Sequence, residues 1–324
     1  MKTYLVYIFM PVLAILPMGS EDHVNSINSI DYSNSTTQLE DTIYHLPFTL
    51  QRNKIILPTK VGNSRTLMVI LDTGMAFEGL FLYKRELITE LGINDTTVYT
   101  IGGAGNQPPS TAVTKDSTTF SVAAKVFTNQ KLIVLKNDRF EGFPGDGVVG
   151  YSLFGRHDVY IDYDRSQITL HPPGKMAPGK SWATIPVYFK DNLIPWIDAS
   201  IDIKGDQDVA VAMYIDLASG EGVELLLRDN MKFTLPESLT ESYLGRGVSG
   251  DIYGYAGIIE RLCLGPYTLK RVKTAFAPAE VRSKQQNADG ILGNNVLRRF
   301  NLIFSYATKR LYLKPNTYYQ KCFE

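Results

Sequence analysis

The sequence predicts an all-β chain folded as two similar lobes, and three observations predict it. Residues 145–173, GDGVVGYSLFGRHDVYIDYDRSQITLHPP, lie over residues 288–316, ADGILGNNVLRRFNLIFSYATKRLYLKPN, without a gap at an offset of 143. That alignment superposes Asp146 on Asp289, Gly147 on Gly290, Gly150 on Gly293, Arg156 on Arg299, Tyr163 on Tyr306 and Pro172 on Pro315. Upstream, LPFTLQRNKII (46–56) lies over IPVYFKDNLIP (185–195) at an offset of 139, which aligns Pro47 with Pro186 and Asn53 with Asn192, so the order of features is shared. The third observation is local: runs such as TLMVIL, KLIVL, DVYIDY and RLYLK are rich in β-branched and aromatic residues and bounded by Gly, Asn and Pro, as short strands are. The chain therefore reads as two copies of a unit of about 140 residues.

From the N-terminus, residues 4–18 form an apolar run behind Lys2, too short for the roughly 20 residues of a spanning helix and interrupted by Pro11 and Pro17. Residues 1–20 are therefore expected to be a signal peptide, and the protein to be exported, periplasmic or secreted, with no stable membrane insertion. Residues 21–43, rich in Asn, Ser and Thr, read as a flexible linker, and the fold is expected from Tyr44, with an N-terminal lobe at 44–178 and a C-terminal lobe at 179–324. Helices are expected to be few and short: Arg85–Ile93 with Gly92 near its C-cap, and turns at Ser152–Phe154 and Asn295–Arg299. Glycosylation-type triplets at Asn34 and Asn94 are close to chance in a chain of this length.

Composition excludes several classes. With 33 basic against 33 acidic residues and a pI near 6.9, the chain has no electrostatic footprint for nucleic acid. His23, His45, His157 and His171 show no metal-ligand spacing, and no metal or organic cofactor is expected. GKMAPGKS (174–181) matches a phosphate-loop pattern, but Ser181 leads into the strand-like WATIPVYF instead of a helix, so it reads as the connection between lobes. Gly245-x-Gly247-x-x-Gly250 fits a dinucleotide pattern and lacks the strand-to-helix context. No GxSxG elbow occurs. Cys263 and Cys322 read equally well as one disulfide or as two free thiols.

The chemistry lies in paired carboxylates. Met68–Leu71 run straight into Asp72, and Val211–Ile215 run straight into Asp216, so each copy ends a buried strand on an Asp. A buried, ionised carboxylate needs donors, a cation or a second carboxyl with which to share a proton. The duplication supplies the second carboxyl. Two such groups about 3 Å apart cannot both ionise, which divides them into a base and an acid able to activate water and protonate an amide leaving group.

Asp72-Thr73-Gly74 behind an apolar strand, followed by Asp146-Gly147-Val148-Val149-Gly150, and Asp216 followed by Asp289-Gly290-Ile291-Leu292-Gly293, resemble the aspartic peptidases of the pepsin and retropepsin type. The nearest likeness is to exported single-chain bacterial forms with both lobes on one polypeptide. The resemblance implies the bilobal acid-protease fold, catalysis by Asp72 and Asp216, a peptide or protein substrate and a monomer. It implies glycine-rich hairpins over the cleft, for which the candidates are Gly102, Gly103 and Gly105 in IGGAGNQ and Gly247 and Gly250 in GRGVSGDIYGYAG. The alternative reading of those segments is a pair of surface turns. In the second copy Leu217 replaces the hydroxyl residue and Ala218 the glycine, with Ser219 or Gly220 standing in through a shifted turn. A second function therefore stays open, a catalytically inactive peptide-binding module. A two-carboxylate glycosidase is disfavoured because its carboxyls stand roughly 5 to 10 Å apart.

Overall fold

The computed structural model describes residues 42–94, 97–190, 193–282 and 287–323, together with the backbone of 4–9 and 12–17. The expected linker up to residue 41, the Asn34 triplet, the cleavage region at Gly19 and Ser20, and the repeat position Asn192 lie outside the described residues. Backbone strands Tyr4–Phe9 and Val12–Pro17 pair antiparallel, the first lying parallel to Tyr99–Gly102.

The two copies fold alike. In the first, strands Lys54–Val61, Leu67–Leu71, Gly79–Leu82, Tyr99–Gly102, Ser110–Val122, Lys125–Leu135 and Gly147–Val149 share one sheet. In the second, Pro195–Asp202, Val209–Asp216, Val223–Leu227, Thr240–Gly247, Gly250–Leu264, Tyr267–Pro278 and Gly290–Gly293 follow in the same order. A third sheet joins the lobes, with Asp158–Asp162 of one copy antiparallel to Phe300–Ser305 of the other at their shared centre. Its apolar rows, among them Val159, Ile161, Leu302 and Phe304, belong to one continuous core. At about 25 cal/mol per Å2 of buried apolar surface, that core holds the two lobes together without staples.

Helices occupy single turns, at Leu87–Glu90, Tyr151–Phe154 and Asn294–Leu297. The predicted helix over Arg85–Ile93 is thus shortened. Gly92 takes φ +59°, its N–H bonding to Thr89 O at 3.1 Å and that of Ile93 to Ile88 O at 2.9 Å, so a left-handed cap closes the helix after one turn. Residues 174–181 form no helix; the Gly174 and Met176 N–H groups instead donate to Asp158, each at 2.9 Å, which anchors the interlobe connection. Cys263 and Cys322 are unpaired. Among the described residues no helix is long and apolar enough to cross a membrane.

Candidate active site

Each aspartate is placed by its neighbours in the sheet. Gly147–Val149 pairs parallel to Leu67–Leu71 and antiparallel to Gly79–Leu82, and Gly290–Gly293 does the same beside Val209–Asp216 and Val223–Leu227. A strand inserted in this way leaves the chain end at Asp72 with its N–H donating to Val149 O at 2.9 Å. The Asp that precedes the inserted strand in both copies has a structural purpose. The Asp146 carboxylate accepts from the Met68 N–H at 2.8 Å and pairs with Arg65, while that of Asp289 accepts from the Ala212 N–H at 2.9 Å and pairs with Lys232. These two side chains fasten the inserted strands.

Asp72 and Asp216, 0% and 4% exposed, stand at adjacent turns that Thr73 joins, close enough for the charge of Asp216 to act on Asp72. Asp72 Oδ1 accepts from the Gly74 N–H at 2.7 Å, and Asp216 Oδ1 from the Ala218 N–H at 2.8 Å and the Ser219 N–H at 3.0 Å. The second turn is therefore not shifted: Ala218 donates from the position Gly74 holds in the first. Neither residue has positive φ, so the methyl of Ala218 fits without strain. Thr73 spans the lobes, its hydroxyl donating to Ile215 O at 2.7 Å and accepting from the Leu217 N–H at 3.1 Å. Leu217, which lacks a hydroxyl, is buried in the main core.

Burial raises both carboxyls above the usual range, and for Asp72, pushed well above it, the charge of Asp216 adds to the rise. Asp72 Oδ2 is buried with no hydrogen-bond partner among the described residues. Lys54 adds a cation that the sequence reading missed. It reaches from the first lobe to donate to Ala218 O, while Asn53 Nδ2 donates to Gly220 O at 3.0 Å. Burial lowers the Lys54 amine, and Asp216 and Asp72 pull it back up. Glu224 and Arg282 were also missed. Arg282 shares a signal with Arg139: each stands seven residues before the Asp-Gly of its copy.

The expected glycine hairpins meet each other, and Ala104, Gly245 and Gly247 line the cavity that Asp216 borders. Ser249 donates its N–H to Ala104 O at 2.9 Å and accepts at its carbonyl from the Gln107 N–H at 2.7 Å, while the Gly103 N–H donates to its hydroxyl at 3.1 Å. A Cβ on Gly105, at φ +117°, would lie 2.3 Å from Ser249 O, and one on Gly247 2.2 Å from Ala104 O. Only glycine permits that approach. Gly250 lies at the same junction against Gln107, whereas Gly102 ends the strand leading to it. Arg139 locks the junction by donating to Val248 O at 2.6 Å and Ser110 Oγ at 2.9 Å. Among the described residues no group of three or more His, Cys, Asp or Glu is arranged to hold a metal ion.

The fold is similar to that of a solved aspartic proteinase from Irpex lacteus, with a TM-score of 0.53 at 12% identity, over 87% of this chain and 100% of that one. The chain thus has the bilobal, two-barrel pepsin-like architecture. No protein-family model matches the sequence, and no curated protein does.

Proposed function

We propose that the chain is an aspartic-type endopeptidase in which Asp72 and Asp216 share a proton and activate water against a peptide bond. The observation that carries this is the pairing of two buried carboxylates at equivalent strand ends, each oriented by backbone donors. A general kind of function is suggested by the fold, and the chemistry by the site. One shared proton makes one carboxyl a base for water and the other an acid for the carbonyl oxygen, without a covalent intermediate. The raised carboxyls keep that proton to higher pH than an isolated Asp would. Beneath the paired hairpins an extended peptide would displace the Ser249 contacts and take up the freed backbone groups, as an added strand does. The apolar run at 4–18 supports export to a periplasmic or extracellular setting, and both carboxylates on one chain support a monomer.

Cleavage of a mixed peptide library by the purified protein across about pH 3 to 8 tests this, with Asp72→Asn and Asp216→Asn each expected to lower turnover on the order of 10^3-fold or more. The missing hydroxyl at Leu217 favours a second reading, a peptide-binding module without catalysis. Binding of extended peptides with no cleavage at any pH, unchanged by Asp72→Asn, would select it.

A further inference from the structure

The two carboxylates are not equivalent, and residues outside the turns make them differ. Asp216 accepts two backbone N–H groups where Asp72 accepts one, and Asp72 Oδ2 has no partner among the described residues. Beside Asp216, Glu224 and Arg282 form a two-bond ion pair, Nε to Oε1 at 2.8 Å and Nη2 to Oε2 at 2.9 Å. Both residues are more than nine-tenths buried, and with Asp216 they line one cavity of about 70 Å3. A pair so enclosed adds little net stability over apolar residues of similar volume, because desolvation offsets the attraction. The first copy shows that the fold does without it: Phe81, paired with Val148 as Glu224 is with Ile291, stands at the position of Glu224, and Arg139 turns to the hairpin junction instead.

We propose that the Glu224–Arg282 pair is a positioning device that polarises the dyad, so that Asp216 carries the negative charge and Asp72 the shared proton. The groups facing Asp216 are Asp72 from the first turn, Lys54 from the hairpin at 51–54, Arg282 from the turn Ala279–Arg282 and Glu224 from Val223–Leu227, with Glu221 and Tyr214 on either side along its own chain. Arg282 acts as the cation nearest in effect. Against the rise that burial causes, it draws Asp216 down first and Lys54 second, whereas Asp72 is opposed chiefly by its backbone donor. Burial keeps the Tyr214 phenol protonated.

In the peptidase reading, on which the catalytic consequence rests, water bonds to the carbonyl carbon as its proton passes to Asp216, and the carbonyl oxygen takes the proton of Asp72. The neutral diol then collapses. The C–N bond breaks as Asp216 returns its proton to the nitrogen, and one hydroxyl gives its proton back to Asp72.

The test is a titration of the whole protein labelled with 13C at the aspartate carboxyls, with Asp72→Asn and Asp216→Asn used to assign the signals. We expect Asp216 to titrate below Asp72. Arg282→Gln should raise the Asp216 value by about one pH unit and Glu224→Gln should lower it, opposite shifts that a merely structural role would not produce. Should a single variant fail to fold, the apolar double variant Glu224→Leu/Arg282→Met decides, with Asp216 rising towards Asp72. A lower value for Asp72 in the wild type, shifts of the same sign, or an unmoved Asp216 would overturn the proposal. Shifts as expected with no peptide cleaved would sink the peptidase reading and leave the polarisation standing.

Discussion

The two turns end matching strands and orient their carboxylates by backbone donors, one at Asp72 and two at Asp216, yet only the first sends a hydroxyl across to the other lobe. Thr73 both donates and accepts there, while Leu217 faces into the core. What the second turn lacks is supplied from a neighbouring element. The tight turn at Arg52 and Asn53, both at positive φ, brings Asn53 onto Gly220 O and Lys54 onto Ala218 O, and Asn294 Nδ2 donates back to Asn53 O at 2.7 Å. The lesson is that a duplicated site requires both turns to be braced and does not require both braces to be of one kind.

The most damaging way to break this arrangement is Thr73→Val. It leaves Ile215 O and the Leu217 N–H buried without their partner, and unsatisfied buried groups cost about 1–3 kcal/mol each. Urea unfolding should show a loss of about 3 kcal/mol, and turnover should fall with it. Restoring symmetry by Leu217→Thr should not help: removing a fully buried Leu from the main core costs about 2 kcal/mol, and a second hydroxyl recovers only part of it. A double variant Thr73→Val/Leu217→Thr as stable as the wild type would show that the two braces are interchangeable after all.

Asp72→Asn separates stability from chemistry. An unfolded Asp ionises near 3.8, whereas burial and Asp216 keep Asp72 protonated in the folded chain well above that, so the wild type loses stability as pH rises past the unfolded value. The amide variant escapes that loss. Its melting temperature should exceed the wild type's at pH 7, and the advantage should vanish below 3.8. The smallest effect is expected from Lys54→Met, which retains the stem and removes the cation facing Asp216. The acid limb of the pH profile should move upward by a fraction of a unit.

The duplication, the strand-end aspartates and the spacing of the glycine hairpins were legible because each is a pattern along the chain. Lys54 was not, since it stands opposite Leu193 in the repeat and gains its meaning only from the turn that folds against it. Glu224 and Arg282, far apart in sequence, look like ordinary surface charges until the barrel closes over both. The spacing of Arg139 and Arg282 before each Asp-Gly was available as a clue, but equal spacing hides unequal work: one side chain locks a hairpin and the other sits beside an aspartate. The Leu217-Ala218 departure suggested a displaced turn because sequence records the residue type and omits φ. The backbone there is ordinary, and alanine serves as well as glycine.

In the peptidase reading, the joined hairpins would also decide what is admitted. Separating Ser249 from Ala104, Gln107 and Gly103 exposes backbone groups on both tips together, so loosening one tip loosens the other. A guest must offer enough main chain to replace those bonds. Short peptides, with few groups to offer, should be handled poorly at any concentration, and a compact domain, whose own ladders occupy its backbone, should be refused. On that reading the gate would measure how unfolded a chain is before it measures which side chains the chain carries.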